Sequence, residues 1–340
     1  MLTRTTSAST GAIVYSAGKA LSGTECSLSV AETHESRQHA SVLDNCDHDY
    51  MLVKRAPFHG RVVALKHPKV TVVRDQVDHP ICYLGTAGKN QVVFTSSADS
   101  NQGTFRDGRA FASNTLIKLP KNYTHRTYFP GPYDNLSVTI DADVIAEKVC
   151  EQIDGVSARR VMDEIQCITC PEDVNDFYAS AWRVLRCGIH CNESGQFDTT
   201  LEHSVDLLLQ VLVSAVAAAQ SRQEELPRPS TRSYIVGKAV SYLEQHVSDP
   251  VSIPDISASV GVSARTLRYS FEEIMGVSPS EYFLTLRLEM VRRELLDGSS
   301  MKSIYRIAHK YGFCNMSRLA HYYKQTFGEL PSQTGNYSFQ

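Results

Sequence analysis

In the last third of the chain, apolar residues recur at intervals of three and four, and they do so twice. Ile253, Ile256 and Val260 form one stripe, and Leu267, Phe271 and Ile274 form a second, each on one face of a predicted helix. The plan then returns as Ile304, Ile307, Ala308 and Tyr311, followed by Leu319, Tyr323 and Phe327. The register is strict. Leu267, Phe271, Gly276, Pro279 and Ser280 are matched by Leu319, Tyr323, Gly328, Pro331 and Ser332 at an offset of 52, and Gly261 and Gly312 recur at an offset of 51. Ser252, with Asp255 three residues on, has capping-box spacing, and Ser263, Ser303 and Asn315 stand where each following helix needs a cap. Gly261 and Gly312 sit between the helices, where a residue tolerating positive φ ends one helix. The pattern predicts two helix-turn-helix units, with Ser280 to Leu296 as a helix that spaces them.

Upstream the period shortens to two. Phe58 to Leu65, Val70 to Val77, Gln91 to Thr95, Thr104 to Phe111, Leu116 to Leu119 and Leu136 to Ile140 read as short strands separated by Gly, Pro, Asn and Asp. Their number suggests a β-barrel or jelly-roll-like domain, and Arg106-Asp107-Gly108-Arg109 carries the Asp-Gly of a hairpin turn. Asp143 to Arg222 reads as helices, with Pro171 starting one and the apolar run Leu207 to Ala219 inside the last. Leu226-Pro227-Arg228-Pro229-Ser230 breaks any helix and marks a domain boundary. Residues 1–49 are rich in Ser, Thr and Ala without a sustained period and are expected to be a disordered leader. The expected order is therefore a leader (1–49), a region at 50–222 that is β-rich over 50–141 and helical over 142–222, a linker (223–232) and an all-α domain (233–340). The fold class is α+β, with a β-barrel or jelly-roll-like N-terminal domain, a helical connector and a C-terminal all-α double helix-turn-helix domain.

The polar faces of the repeated helices supply the chemistry. With Leu267 and Phe271 inward, Arg265, Arg268 and Tyr269 face out near the start of their helix, where a recognition helix presents side chains to base edges. In the second copy Met316, Ser317, Arg318 and His321 take the outward places, and Lys324, farther along, suits a phosphate. A rigid spacing near one turn of duplex, ~34 Å, would let both helices enter one face of DNA. One helix pair joined by glycine carries little information about function, whereas two in step carry much more.

GVSARTLRYSFEEIMGVSPSEY at 261–282 and RIAHKYGFCNMSRLAHYYKQTFGELPSQT at 306–334 closely resemble the DNA-binding domain of AraC/XylS-type transcriptional regulators. The resemblance spans Tyr234 to Tyr337 and rests on the IAxxYGF element at Ile307 to Phe313 and the FGxxP element at Phe327 to Pro331. It implies two helix-turn-helix units on a long helix, binding double-stranded promoter DNA and activating transcription through RNA polymerase. Base-reading positions carry over to Arg265, Arg268 and Tyr269 and to Met316, Ser317, Arg318 and His321. Tyr269 and His321 depart from the basic residues frequent in relatives. A β-rich segment followed by helices also looks like the effector-sensing and dimerising part of such regulators, most like the XylS-type binding domain, which would make 50–222 the sensor and dimerisation region. That likeness implies a small-molecule effector in the barrel interior and a homodimer. His59, Arg61, Tyr83 and Arg126 are the polar or aromatic candidates for the effector, and Leu207, Leu208, Val211, Leu212 and Ala215 for dimerisation or, equally, for core.

Composition narrows the alternatives. Net charge is -3, so the chain is no polycation; Thr231 to Gln340 carries +2 and the remainder -5, which places what basic excess there is beside the predicted readers. No apolar h-region follows Arg4, and the 13 residues from Leu207 to Ala219 are too few to cross a bilayer, so a cytoplasmic protein with no membrane partner and reduced thiols is expected. Cys167, Cys170, Cys187 and Cys191 form C-x2-C-x16-C-x3-C, close to structural zinc spacing, although buried thiols in helices would give the same pattern. A DNA-repair methyl acceptor with a four-cysteine zinc site and a non-specific architectural DNA-binding protein are the alternatives. No cofactor is implied. Gly85 to Asn90 lacks P-loop spacing, and HExxH, GxSxG and GxGxxG are absent, so an enzyme is not expected.

Overall fold

The computed structural model describes residues 3–6, 13–18, 26–43, 47–97, 103–119, 122, 124–152, 165–194, 199–297 and 303–334. Its strands are β1 (Thr3–Thr6), β2 (Ile13–Gly18), β3 (Ser27–Thr33), β4 (Asp47–Leu52), β5 (Gly60–His67), β6 (Val70–Val77), β7 (Ile81–Thr86), β8 (Gln91–Ser97), β9 (Thr104–Arg106), β10 (Arg109–Phe111), β11 (Leu116–Leu119), β12 (Thr124–Phe129), β13 (Tyr133–Asp141) and β14 (Cys167–Ile168). The helices are α1 (Ser36–Val42), α2 (Ala142–Gln152), α3 (Pro171–Ser194), α4 (Thr199–Arg222), α5 (Thr231–Gln245), α6 (Ile253–Val260), α7 (Ala264–Met275), α8 (Pro279–Leu296), α9 (Ile304–Lys310) and α10 (Met316–Phe327).

The strands form two antiparallel sheets, a large one in the order β1-β2-β3-β5-β6-β13-β8-β11-β14 and a small one in the order β10-β9-β12-β7-β4. The expected barrel is corrected here, because β1 and β14 end one sheet, β10 and β4 end the other, and neither closes. Layering buries the faces instead of closure. On β5, Val63 and Leu65 point to α2, α3 and α4, while Val62 and Ala64 point to the small sheet. Both faces of the strand are therefore apolar, and it reads as a continuous greasy run. Gly188 lets α3 approach closely, since a Cβ there would meet Leu65 Cδ1 at 2.8 Å.

The small sheet has the same two-sidedness with different partners. Tyr50, Leu52, Ile81 and Phe129 face the large sheet, whereas Cys82 and Tyr128 pack with Ile235, Val236, Phe271, Tyr282 and Leu286 of the C-terminal helices. The order of layers is thus helices, large sheet, small sheet, C-terminal helices. The linker is fixed as well. Ser230 N donates to Gly108 O at 2.7 Å, and Arg109 pairs across to Pro229. The hairpin that receives it turns on Asp107 and Gly108, at φ 46 and 80, as a tight two-residue turn requires.

Two expectations change. Residues 3–6, 13–18, 26–43 and 47–49, assigned to a leader, belong to the fold: β1 pairs with β2 and β2 with β3, and β3 pairs with β5 over seven residues and buries Leu28, Ala31 and Thr33. Its sequence SLSVAET hides the strand because half of its positions are small and polar. The stripe on α4 divides. Leu208, Leu212 and Ala215 are core against the large sheet, with exposures of 0%, 0% and 1%, so they are unavailable for dimerisation, while Leu207 and Val211 are half-buried on the outer side. Helix α4 is long and apolar enough to span a bilayer, but half of its apolar window is buried inside the protein.

Candidate functional site

The first predicted reader is α7. Ser263 accepts from Thr266 N to cap it, and Gly276, at φ 69, ends it. Leu267, Phe271 and Ile274 are fully buried, which turns Arg265, Arg268 and Tyr269 to solvent. The preceding α6 has the full capping box, with Ser252 and Asp255 bonding reciprocally, and closes on Gly261 at φ 80. Side-chain and backbone bonds from Ser252 hold the Asp255 carboxyl below its usual range.

The second reader, α10, repeats the device with an asparagine. Asn315 accepts from Arg318 N at 2.9 Å, and Gly328, at φ 75, terminates the helix. Leu319 and Tyr323 are buried; Ser317, Arg318, His321 and Lys324 are exposed, and Met316 is half-buried against the core of this unit. Burial pushes the Tyr323 hydroxyl up to about 12, and that hydroxyl joins Thr334 at 2.7 Å. Both readers also carry an Arg–Tyr pair at i, i+4. Arg265 Nη2 donates to Tyr269 at 3.3 Å, and Arg318 Nε donates to Tyr322 at 3.0 Å. The second pair begins one helix position later than the first, which rotates it by about 100°. Tyr269 consequently stands out at 51% exposure, whereas Tyr322 turns toward the β region.

Between the readers, α8 binds to the β region by ion pairs. Arg293 Nη2 meets Asp49 at 2.6 and 2.8 Å, and Arg292 joins Glu35 at 2.9 Å and Glu329 at 2.8 Å. Arg126 of β12 reaches Glu244 of α5 at 2.9 Å. Burial opposes the charge on Arg126, yet Tyr128, Cys82 and Glu244 outweigh it and raise its pKa. Beneath Arg292 and Arg293 lies Glu289, 2% exposed, whose carboxyl burial pushes up to about 7 despite the neighbouring cations.

A cavity of about 70 Å³ lies between the two sheets, lined by His48, Tyr50, Asp75, Tyr83, Arg106 and His125 among others. Asp75 is its fixed anion. His39 Nε2 stands 2.7 Å from Oδ1, and the hydroxyls of Tyr50 and Tyr133 donate to Oδ2 at 2.6 and 2.8 Å. Burial alone would raise the Asp75 pKa, but His39, Tyr50 and Tyr133 hold it below the ordinary value. Of the four effector candidates only Tyr83 lines this cavity, 2.5 Å from His48 Nδ1. His59 is exposed and stacks on His34, Arg61 is exposed on β5, and Arg126 lies on the opposite face of the small sheet. There Arg126 borders a second cleft of about 290 Å³, shared with Met51, Leu84, Leu286 and Met290.

The cysteine pairs do not converge. Cys167 and Cys170 precede α3, while Cys187 and Cys191 lie near its far end, about 25 Å away along the helix. Among the described residues no group of three or more His, Cys, Asp or Glu could hold a metal, so the four-cysteine site is corrected to buried and half-buried thiols. Cys167 is buried at the sheet edge, and burial pushes its thiol up to about 11.

Residues 256–336 match a family described as a helix-turn-helix domain. A probable thc operon regulatory protein of Rhodococcus erythropolis is 34% identical over 128 residues, 37% of this chain and 38% of that protein. XylDLEGF operon transcriptional activator 2 of Pseudomonas putida is 35% identical over 98 residues, 28% of this chain and 62% of its own length. A solved transcriptional regulator with an AraC-type DNA-binding domain, from Chromobacterium violaceum, is 33% identical over 31% of this chain and 93% of its own, with a TM-score of 0.30. The chain thus spans less than two thirds of these curated relatives.

Proposed function

The C-terminal part of this chain is a DNA-binding domain of the AraC/XylS type, and from that premise we propose that the chain is a sequence-specific transcription regulator answering to a small-molecule effector. The observation that carries the reading is the pair of capped helices, α7 and α10, each with a buried stripe and an exposed arginine near its start. Arg265, Arg268, Tyr269, Ser317, Arg318 and His321 are assigned to base edges, Met316 to the rim of that surface, and Lys324 to phosphate. The name of the Pseudomonas putida relative, an operon transcriptional activator, supports activation; contact with RNA polymerase at the promoter is part of the same proposal. The reading is non-enzymatic and places the protein in the cytoplasm.

The effector is assigned to the cavity between the sheets, where imidazole, phenol and guanidinium groups suit a small polar molecule. The small sheet then transmits its presence. Along β4, His48 and Tyr50 face the cavity, while Asp49 faces Arg293 of α8. A ligand that moves one set shifts its neighbours one residue away, and it acts only through different affinity for two domain arrangements. A homodimer is assigned to the outer face of α4, with Leu207 and Val211 as contacts. Selecting binding sites from random duplexes tests the central reading. A regulator should enrich one sequence by ~10³ or more over bulk DNA, whereas salt-sensitive binding without enrichment would mark an architectural protein.

A further inference from the structure

Tyr322 is one of the places where the β region touches the second reader, Phe327 at the far end of α10 being another. Its ring carries the guanidinium of Arg55, from the loop between β4 and β5, with the carbon 4.6 Å from the centroid. Arg318 lies 5.3 Å from the same centroid and donates its Nε to the Tyr322 hydroxyl. Arg55 has a buried Nε with no hydrogen-bond partner among the described residues, so its ring contact is the interaction that places it. In the first unit the equivalent contact is confined to α7, where Arg265 both stacks on and bonds to Tyr269.

We propose that Arg55 is a positioning residue for Arg318, acting through Tyr322. The geometry divides the labour by atom. Tyr322, with Arg55 on its ring, has a fixed place for its hydroxyl; the hydroxyl takes Arg318 Nε, so the two terminal nitrogens of this exposed guanidinium are not spent on that bond. A guanine edge offers O6 and N7 to such a pair of donors, and the discrimination depends on holding the fork in plane. Sequence choice by the second reader thereby requires the β region to be docked on it, whereas the first reader orders its own pair within one helix. The inference rests on the assignment of Arg318 as a base reader.

The test uses the full chain, its selected duplex, and the same duplex changed at each base pair in turn, with Kd read by fluorescence anisotropy at fixed salt. Arg318→Ala should flatten discrimination at one position. Arg55→Ala should weaken discrimination at that same position on the order of tenfold, leaving the others alone. Tyr322→Phe keeps the ring under Arg55 but removes the hydroxyl, and should reproduce the effect even if the Arg55 variant folds poorly. The double variant Arg55→Ala/Arg318→Ala should discriminate no worse than Arg318→Ala. Unchanged discrimination in both Arg55→Ala and Tyr322→Phe overturns the proposal, as does an equal loss on all duplexes with a smaller salt slope, which would make Arg55 a phosphate contact. Were Arg318→Ala itself without effect at any single base, the reader assignment would fall, and this inference with it.

Discussion

Arg293 of α8 and Asp49 of β4 form a two-oxygen contact, at 2.6 and 2.8 Å, between the spacer of the two readers and the wall of the inter-sheet cavity. Asp49 sits between His48 and Tyr50, which line the cavity, so on the proposed function this pair joins the strand beside the cavity to the helix that spaces the readers. Arg293→Ala should weaken docking of the C-terminal helices by about 1 to 2 kcal/mol, a loss moderated because both partners are partly exposed. Hydrogen exchange should quicken in β4 and α8 together while α7 stays protected. Unchanged exchange in β4 would show that the ion pair holds nothing in place.

Glu289 gives the same interface a pH dependence. Its carboxyl is pushed from 4.5 up to about 7 by burial, so the folded state binds a proton that the unfolded chain releases over that interval. Stability from this group is complete below pH 4.5 and is lost as pH rises through about 7, a change of roughly 3 kcal/mol. Glu289→Gln cannot ionise and should flatten this fall. Urea midpoints at pH 5 and pH 8 measure it, and an unaltered difference in the variant would assign the dependence to other groups. Asp75 acts in the opposite sense and lower down: its depressed pKa supplies stability above its ordinary value of 3.8 that disappears as acid protonates it.

The repeated turn glycines are not equivalent. Gly261 and Gly312 have φ of 80 and 79, a left-handed conformation that strains an alanine by about 1 to 2 kcal/mol. A Cβ on Gly261 meets open space, but one on Gly312 meets the Arg287 guanidinium at 3.2 Å. That guanidinium donates its Nε to Val247 O, and it also bonds Asp249 O. Gly312→Ala should therefore lower the melting temperature more than Gly261→Ala, and equal shifts would mean that Arg287 moves aside freely.

The C-terminal domain was legible in sequence because its rules are local. A cap, a stripe at three and four, and a glycine specify each helix of a pair, and Ser263, Leu267 and Gly276 do so without knowledge of anything distant. The small sheet was not legible. Three of its strands, β4, β7 and β12, lay outside the runs read as strands, and the reason is their double duty. His48, Tyr50, Tyr83 and His125 face a polar cavity, while Asp49 and Arg126 on the other side face charges on α8 and α5. With polar residues on both faces, alternation of apolar and polar positions vanishes. Glu289 was hidden for a related reason: a glutamate in a helix reads as solvent-facing until the partner that covers it is known. Tyr322 was not singled out in sequence, although Arg318 and Tyr322 share the i, i+4 spacing of Arg265 and Tyr269, because its contact with Arg55 joins residues far apart in the chain.

The readers should separate by the kind of DNA contact that each side chain makes. Arg268→Ala, like Arg318→Ala, removes a fork that can address O6 and N7 of one guanine, so it should lose ~1 to 3 kcal/mol at the selected site and relax choice at one position. Lys324→Ala removes a point charge farther along α10, so it should weaken binding to all duplexes alike and reduce the salt slope by about 0.9. A base-specific effect of Lys324→Ala would move it from the backbone to the groove. Because α7 presents Arg265, Arg268 and Tyr269 whereas α10 presents Ser317, Arg318 and His321, the positions relaxed by Arg268→Ala and by Arg318→Ala should lie in unlike half-sites. A selected element that is palindromic within one chain's footprint would contradict that arrangement, since two different polar faces cannot prefer the same bases.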